Sequence, residues 1–325
     1  MFAVCSQDMI AAFIRPVRFG RTSLFQSLQR FPAGVLMQTI LIQFDTDAQP
    51  SVFDRVVAVD AGVAQLFSYS GVTPQTVTPL VHGAMFTRGP ADLKHTAIFI
   101  GGSSAAAGEA LLKQVRQTFF GPLRVSVMMD SNGCNTTAAA AVASLRRHTT
   151  LAGKRAVVLG GTGPVGQRAA ELLAMENAAV TLVSRSRERS VAACEAITAR
   201  LPSAQITPAA AETAEQCEAL CQGQQVIIAA GAAGVCFLPE GALGRISGLQ
   251  AVADLNAVPP TGLGDVKPGD KAEVRHGVTC YGALGVGGLK MKVHRRAVAS
   301  LFEASDRVLE AAQIYELAKA IAGIS

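Results

Sequence analysis

The segment Ala156-Val-Val-Leu-Gly-Gly-Thr-Gly-Pro-Val-Gly166 runs from an apolar strand through a glycine-rich turn into a helix start. Gly161-x-Gly163-x-x-Gly166 has the spacing of a dinucleotide-binding turn. Gly161 is expected to permit the tight turn, Gly163 to let the backbone approach a pyrophosphate, and Gly166 to let helix and strand pack closely. Thr162, Pro164 and Val165 complete the expected cofactor-binding segment, and the helix N-terminus adds the positive end of its dipole. The next strand, Val180-Thr-Leu-Val, ends in Ser184-Arg185-Ser186-Arg187, with no acid before Glu188. An NAD enzyme usually carries Asp or Glu there, to bond the ribose 2′-hydroxyl. Two guanidiniums and two hydroxyls suit a 2′-phosphate instead, so the predicted cofactor is NADP.

Working outward, strands and helices alternate. Strand 38–44 ends in Asp45-Thr-Asp47, and Ser51-x-x-Asp54 opens a helix with a capping box. Strand 96–102, a helix over about 105–119 and strand 124–129 follow. The polar loop Asp130-Ser-Asn-Gly-Cys-Asn-Thr-Thr137 leads into an alanine-rich helix. Beyond the glycine turn, strands are expected at 225–229, 251–254 and 277–281, and a helix from 290 to 322. This alternation predicts an α/β fold of two domains built on parallel sheets. The first would span 37–147, completed by 290–325, and the second, a Rossmann-type NADP domain, 148–289.

Composition excludes several classes. Half of the 325 residues are apolar and 16% are charged. No run of about eighteen apolar residues suggests a membrane span. The net charge of +5 is too small and too scattered for a nucleic-acid footprint. Seven dispersed cysteines without a C-x-x-C pair argue for a reducing cytoplasm, with no disulfide framework and no zinc site. Residues 1–36 hold five of the fourteen Phe, four Arg and one acid, with poor periodicity. They are expected to be a disordered extension outside the fold, or the product of a start placed upstream of Met37. A targeting segment is the competing reading.

Three polar clusters fall at strand ends or in glycine-rich loops, where open α/β sheets bind ligands. Asp47 and Asp45 offer carboxylates to the donor edge of a ring such as a pterin, while Asp54 is read as helix capping. Asn132, Asn135 and Thr136 belong to a loop dense enough in hydrogen-bonding groups for a substrate rim, although a generous N-cap would look the same. In the third, glycines 282, 285, 287 and 288 precede Lys290, which is placed at a helix start where the dipole disfavours a cation. That misfit points Lys290 toward a ligand. Lys292 and His294 are expected to face solvent or pair structurally, and Asn256 to lie near the nicotinamide.

Assembled, these stretches resemble the NADP-dependent methylene-tetrahydromethanopterin and methylene-tetrahydrofolate dehydrogenases of methylotrophic bacteria. The resemblance rests on Gln43-Phe-Asp-Thr-Asp-Ala48, Pro50-Ser-Val-Phe-Asp54, Phe119-Phe-Gly-Pro122, Asp130-Ser-Asn-Gly133, Asn135-Thr-Thr137, Gly161-Thr-Gly-Pro-Val-Gly166 and Gly287-Gly-Leu-Lys290. It covers about 37–325, with Cys134 standing where the family leads one to expect serine. The resemblance implies hydride transfer from a methylene-pterin to NADP, Lys290 at the pterin side near the reacting centre, and a homo-oligomer, a trimer. Two alternatives stay open. One is a two-domain NADP enzyme of the shikimate dehydrogenase type, for which Lys94 with Asp130 would be a poor catalytic pair. The other is a non-catalytic nucleotide sensor.

Overall fold

The computed structural model describes residues 37–324; the expected extension 1–36 lies outside the described residues. Residues 38–325 form one compact unit. Among the described residues, nine α-helices and twelve strands build two sheets.

The first sheet takes its strands from both ends of this unit. Strands β1 (Ile40–Asp45), β2 (Gln65–Tyr69), β3 (Thr96–Gly101) and β4 (Ser126–Met129) are joined by β12 (Val308–Leu309) in the order β12-β4-β3-β1-β2, all parallel. Every residue of β3 is buried, as a continuous apolar run covered on both faces requires. The chain leaves β1 toward the β2 edge and returns to β3 on the other side. The β1/β3 boundary is therefore a topological switch point, where such sheets bind ligands beyond the carboxyl ends of their strands.

The second sheet holds β5 (Arg155–Leu159), β6 (Ala179–Ser184), β7 (Ile206–Ala210), β8 (Val226–Ala229), β9 (Ala251–Asp254), β10 (Lys271–Arg275) and β11 (Val278–Tyr281). Its order, β7-β6-β5-β8-β9-β11-β10, is that of a dinucleotide-binding Rossmann sheet with one extra edge strand. Only β10 runs antiparallel. The switch point here lies between β5 and β8, at the glycine turn.

Helices α1 (Val52–Asp60), α2 (Thr78–Phe86), α3 (Ala105–Thr118) and α4 (Cys134–Arg146) belong to the first half. Helices α5 (Pro164–Met175), α6 (Arg187–Arg200) and α7 (Ala214–Cys221) belong to the second. Ser51 caps α1 by accepting from Asp54 N, but the expected capping box does not close, because Ser51 N donates to Asp45 instead; Ser104 caps α3 by accepting from Ala107 N. The two C-terminal helices, α8 (Ala283–Ser300) and α9 (Ala311–Ala322), pack on α4. In α4, Ala138 through Ala143 are completely buried. Small side chains there let α5, α8 and α9 approach α4 from several sides at once.

Several expectations need correction. The helix expected over 290–322 is two helices, separated by the segment that carries β12. The glycines at 282–288 are helix, not loop: Gly282 caps α8 and the helix runs from Ala283. A Cβ at Gly282 or Gly285 would strike the carbonyls of Lys267 or Asp270, so these glycines serve packing of α8 on the 267–271 segment. The expected boundary at 290 consequently falls inside α8. Strands β2, β7, β10 and β12 and helix α2 were not anticipated; β2 and β10 are half-exposed edges and β12 is two residues long.

Candidate active site

At the β1/β3 switch point lies a cleft of about 350 Å³. Its walls come from the loop after β1 (Asp47, Gln49, Ser51), the first turn of α1 (Phe53, Asp54), the loop after β3 (Gly102, Ser103), the α4 N-terminus (Asn132, Gly133, Thr137) and Lys290 of α8.

Asp47 stands at the rim. Its two carboxylate oxygens accept from Ser103 N and Ser103 Oγ, each at 2.9 Å, tying the β1 loop to the β3 loop. A carboxylate has about four acceptor positions, so capacity remains for a ligand. Asp45 does not reach the cleft. It is fully buried, and accepts from Asp47 N, Ser51 N and Gln43 Nε2 at 3.0–3.2 Å. Its work is to fold the loop that presents Asp47.

The polar loop divides in the same way. Asn132 is exposed on the cleft wall, in a left-handed conformation with φ 55°. Asn135 and Thr136 are fully buried and do not line the cleft. Asp130 is the hub that holds them: it accepts from Asn135 N, Thr136 N and Thr136 Oγ1 at 2.6–3.0 Å, closing the start of α4. Burial pushes the Asp130 carboxyl up to about 7, against the Thr136 hydrogen bonds that pull it down.

Lys290 reaches the cleft for a reason other than the expected one. It sits two turns inside α8, so the helix-start argument fails; the helix lies beside the cleft and aims the side chain into it. Its Nζ lies 4.1 Å from the centre of the Phe53 ring, a cation–π contact, and 3.5 Å from His294 Nδ1. Burial lowers its pKa, while Asp130 and Asp54 pull it back up.

Two residues of this group escaped sequence reasoning. Asp54, read as a cap, lines the cleft, and burial raises its carboxyl to about 6. Its spacing from Ser51 gave a capping explanation that was correct for its backbone and silent about its side chain. His294, expected to face solvent or pair structurally, is fully buried and meets Lys290. The one-turn spacing Lys290-x-x-x-His294 was the available signal. Lys292 is exposed, as expected. Lys94 is exposed while Asp130 is buried, so the pair a shikimate-type site would need does not form.

At the second switch point the left-handed residue is Gly160, with φ +71°, not Gly161. A Cβ on Gly166 would lie 2.8 Å from Gly160 O, which is the close helix–strand packing the motif requires. Above Gly163, which caps α5 ahead of Pro164, a Cβ would meet nothing nearer than 3.7 Å. Packing therefore does not itself demand glycine at 163. Ser184 Oγ, at the end of β6, lies 3.3 Å from Thr162 Oγ1 of the turn, and Val165 packs against the core. Arg185 and Arg187 are exposed beyond β6; Arg187 donates to Pro208 O at 3.2 Å. Ser186 caps α6 and donates to Glu188 at 2.7 Å. Asn256 follows β9. Its amide bonds Val258 N, Val258 O and Pro260 O, holding its own loop, and it is nearly buried.

A family model for the N-terminal part of methylene-tetrahydromethanopterin dehydrogenase matches residues 52–132, which include Phe53, Asp54, Gly102, Ser103 and Asn132 of the cleft wall. The Bifunctional protein MdtA of Methylorubrum extorquens is 45% identical over 292 residues, which are 88% of this chain and 100% of that protein. This chain belongs to the methylene-tetrahydromethanopterin dehydrogenase family. A second protein of the same organism, named NAD(P)-dependent methylenetetrahydromethanopterin dehydrogenase, is 33% identical over 84% of this chain and 95% of its own length. Among solved structures, quinate dehydrogenase from Corynebacterium glutamicum in complex with NAD has a TM-score of 0.50 at 14% identity. That match covers 86% of this chain and 98% of the other, a likeness of fold. The glycine turn and the Lys290 cleft stand at the two switch points.

Proposed function

We propose that this protein oxidises methylene-tetrahydromethanopterin, methylene-tetrahydrofolate or both to the methenyl form, with NADP as oxidant. Residues 37–147 with the C-terminal segment would form the pterin-binding part, and 148–289 the NADP part. The observation that carries the reading is the pairing of switch points in one body. One holds a glycine turn followed by Arg185 and Arg187; the other holds a polar cleft with a single lysine.

Bound NADP supplies nicotinamide C4 as the hydride acceptor. The residues of this chain hold and tune. Arg185 and Arg187 would clamp the 2′-phosphate, with Ser184 and Ser186 at the same strand end and Gly161, Thr162 and Gly163 against the pyrophosphate. Asp47 and Asn132 would hydrogen-bond the pterin edge. Lys290 would orient the pterin near its reacting carbon. As the hydride leaves the methylene carbon, positive charge develops over the two flanking nitrogens. The ionised Asp54 carboxylate would stabilise that charge and offset the Lys290 ammonium. No general base is needed, since the substrate's own nitrogen lone pair expels the hydride.

A homo-oligomer, a trimer, fits the apolar outer face of α1 (Val52, Val56, Val59) and the edge strand residues Phe67 and Tyr69, all more than 40% exposed. Among the described residues no helix is long and apolar enough to cross a membrane, and a cytoplasmic site suits the scattered thiols. The test of function is hydride transfer by purified protein with each methylene-pterin and with NADP or NAD. NADPH formation supports the reading, and its absence with both pterins overturns it.

A further inference from the structure

His294 is an unusual residue to bury where it is. It has no exposed surface and stacks on Phe99, centroids 5.7 Å apart at 21°, with Phe53 on another side at 6.2 Å. A phenylalanine would fill such a place with no polar atom to satisfy. The imidazole instead leaves Nε2 without any hydrogen-bond partner among the described residues, a cost that packing alone does not explain. Its other nitrogen, Nδ1, lies 3.5 Å from Lys290 Nζ. An ammonium only donates, so Nδ1 accepts and the ring proton resides on the orphaned Nε2.

We propose that His294 is a positioning residue: an imidazole whose Nδ1 accepts from Lys290 and holds the ammonium over Phe53, aimed into the substrate cleft. The proposal rests on the reading of Lys290 as the cation of the pterin cleft. Three observations converge on it. The i,i+4 spacing on α8 brings Lys290 and His294 onto one helix face. Phe53 touches both, at 4.1 Å from the ammonium and 6.2 Å from the imidazole, so ring and cation share one wall. Burial and the adjacent Lys290 charge push the imidazole pKa down to about 3, so it does not compete with Lys290 for a proton at any working pH. A free lysine loses several rotatable bonds when it orients a ligand. One already anchored loses fewer, and this is how a residue outside the reacting atoms raises turnover.

Three substitutions separate positioning from packing. His294→Phe keeps the stack and loses the acceptor. His294→Asn loses the stack and keeps an amide oxygen near the Nδ1 position. His294→Gln carries its amide near the Nε2 position, out of reach of Lys290. Melting temperature and kcat/KM for methylene-tetrahydromethanopterin and methylene-tetrahydrofolate are measured on all three, beside Lys290→Ala. Positioning predicts opposite orders: phenylalanine melts higher than asparagine, yet loses about tenfold or more in kcat/KM while asparagine recovers most of it and glutamine does not. Wild-type kcat/KM in His294→Phe, or activities that merely follow melting temperature, overturn the proposal. Loss of activity in Lys290→Ala beside full activity in His294→Phe overturns the proposal alone. Full activity in Lys290→Ala overturns the reading of Lys290 and the proposal with it.

Discussion

Arg168 Nε, on the helix that follows the glycine turn, donates to Asn135 Oδ1, at the start of the helix that floors the cleft, at 3.0 Å. The same guanidinium pairs with Glu109 of α3 and lies 3.7 Å from Glu171. The buried Arg168 thus ties the Rossmann half to the cleft half. Removing it leaves Asn135 Oδ1 and Glu109 without this partner, whereas Glu171 keeps its 2.8 Å pair with Arg200. Glu109 is 44% exposed on its side chain, so water recovers part of the loss. Arg168→Met is expected to destabilise by about 2 kcal/mol, read from denaturant midpoints, and to raise KM for the pterin. An unchanged midpoint would show that the tie contributes nothing to stability.

Cofactor choice is expected to reside in Arg185 and Arg187. Replacing Arg185 by Asp and Arg187 by Ala should lower the NADP/NAD ratio of kcat/KM by about tenfold or more, since each charge-assisted contact contributes roughly 1.5–3 kcal/mol. Glu188, whose carboxylate Ser186 holds below its ordinary pKa, stays ionised on the same rim and sets a ceiling on the wild-type preference. A ratio that does not move in the double variant refutes the assignment.

Asp54 should be visible in the pH profile. Its carboxyl is raised to about 6 by burial, with Ser51 and Lys290 pulling down and Asp45 pushing up. In the oxidative direction the ionised form favours the developing cation, so kcat/KM should rise with pH through about 6 and this limb should flatten in Asp54→Asn. The stability sign runs the other way. A folded pKa above the unfolded value of 3.8 means stability is fully present below about 4 and is lost progressively as pH rises from about 4 through about 6. Asp54→Asn should therefore gain on the wild type in melting temperature as pH rises over that window and keep the advantage above it. A limb that persists in the variant assigns it to another group, with Asp130 the first to test.

Gly166→Ala probes the glycine turn. The added methyl would meet the Gly160 carbonyl oxygen and Gly161 Cα at 2.8 Å, both backbone atoms that cannot swing aside. A loss of about 1–3 kcal/mol in stability is expected, together with weaker NADP binding by titration. Wild-type values for both would mean that the turn relaxes freely.

What the sequence revealed and what it concealed have a common physical root. β5, the glycine turn and β6 are local: strand, turn and helix chemistry lie within about thirty residues, and their order in the sheet follows. Asp47, Asn132 and Lys290 were singled out and do line the cleft, but Asp45, Asn135 and Thr136, equally polar and adjacent in sequence, are buried scaffolding. Composition cannot tell a carboxylate that meets a ligand from one that caps the loop presenting it, because both need the same residue types. Lys290 was chosen by an argument that the observed helix invalidates. Of its true context only His294, one helical turn on, is local; Phe53, Asp54 and Asp130 lie more than 150 positions away in sequence, and no local pattern reports such a meeting. β12, two residues long, is defined only by pairing with β4.

The most direct test of the account is Lys290→Ala assayed with NADP and each methylene-pterin. The lysine enters the cleft far from the glycine turn in sequence and is held there by Phe53 and His294. The account predicts a fall of about ten- to a thousandfold in kcat/KM for the pterin that the wild type oxidises, the range expected when a positioning contact is lost. NADP affinity, titrated without pterin, should stay at the wild-type value. Wild-type turnover in the variant, or loss of NADP binding in place of turnover, would contradict it.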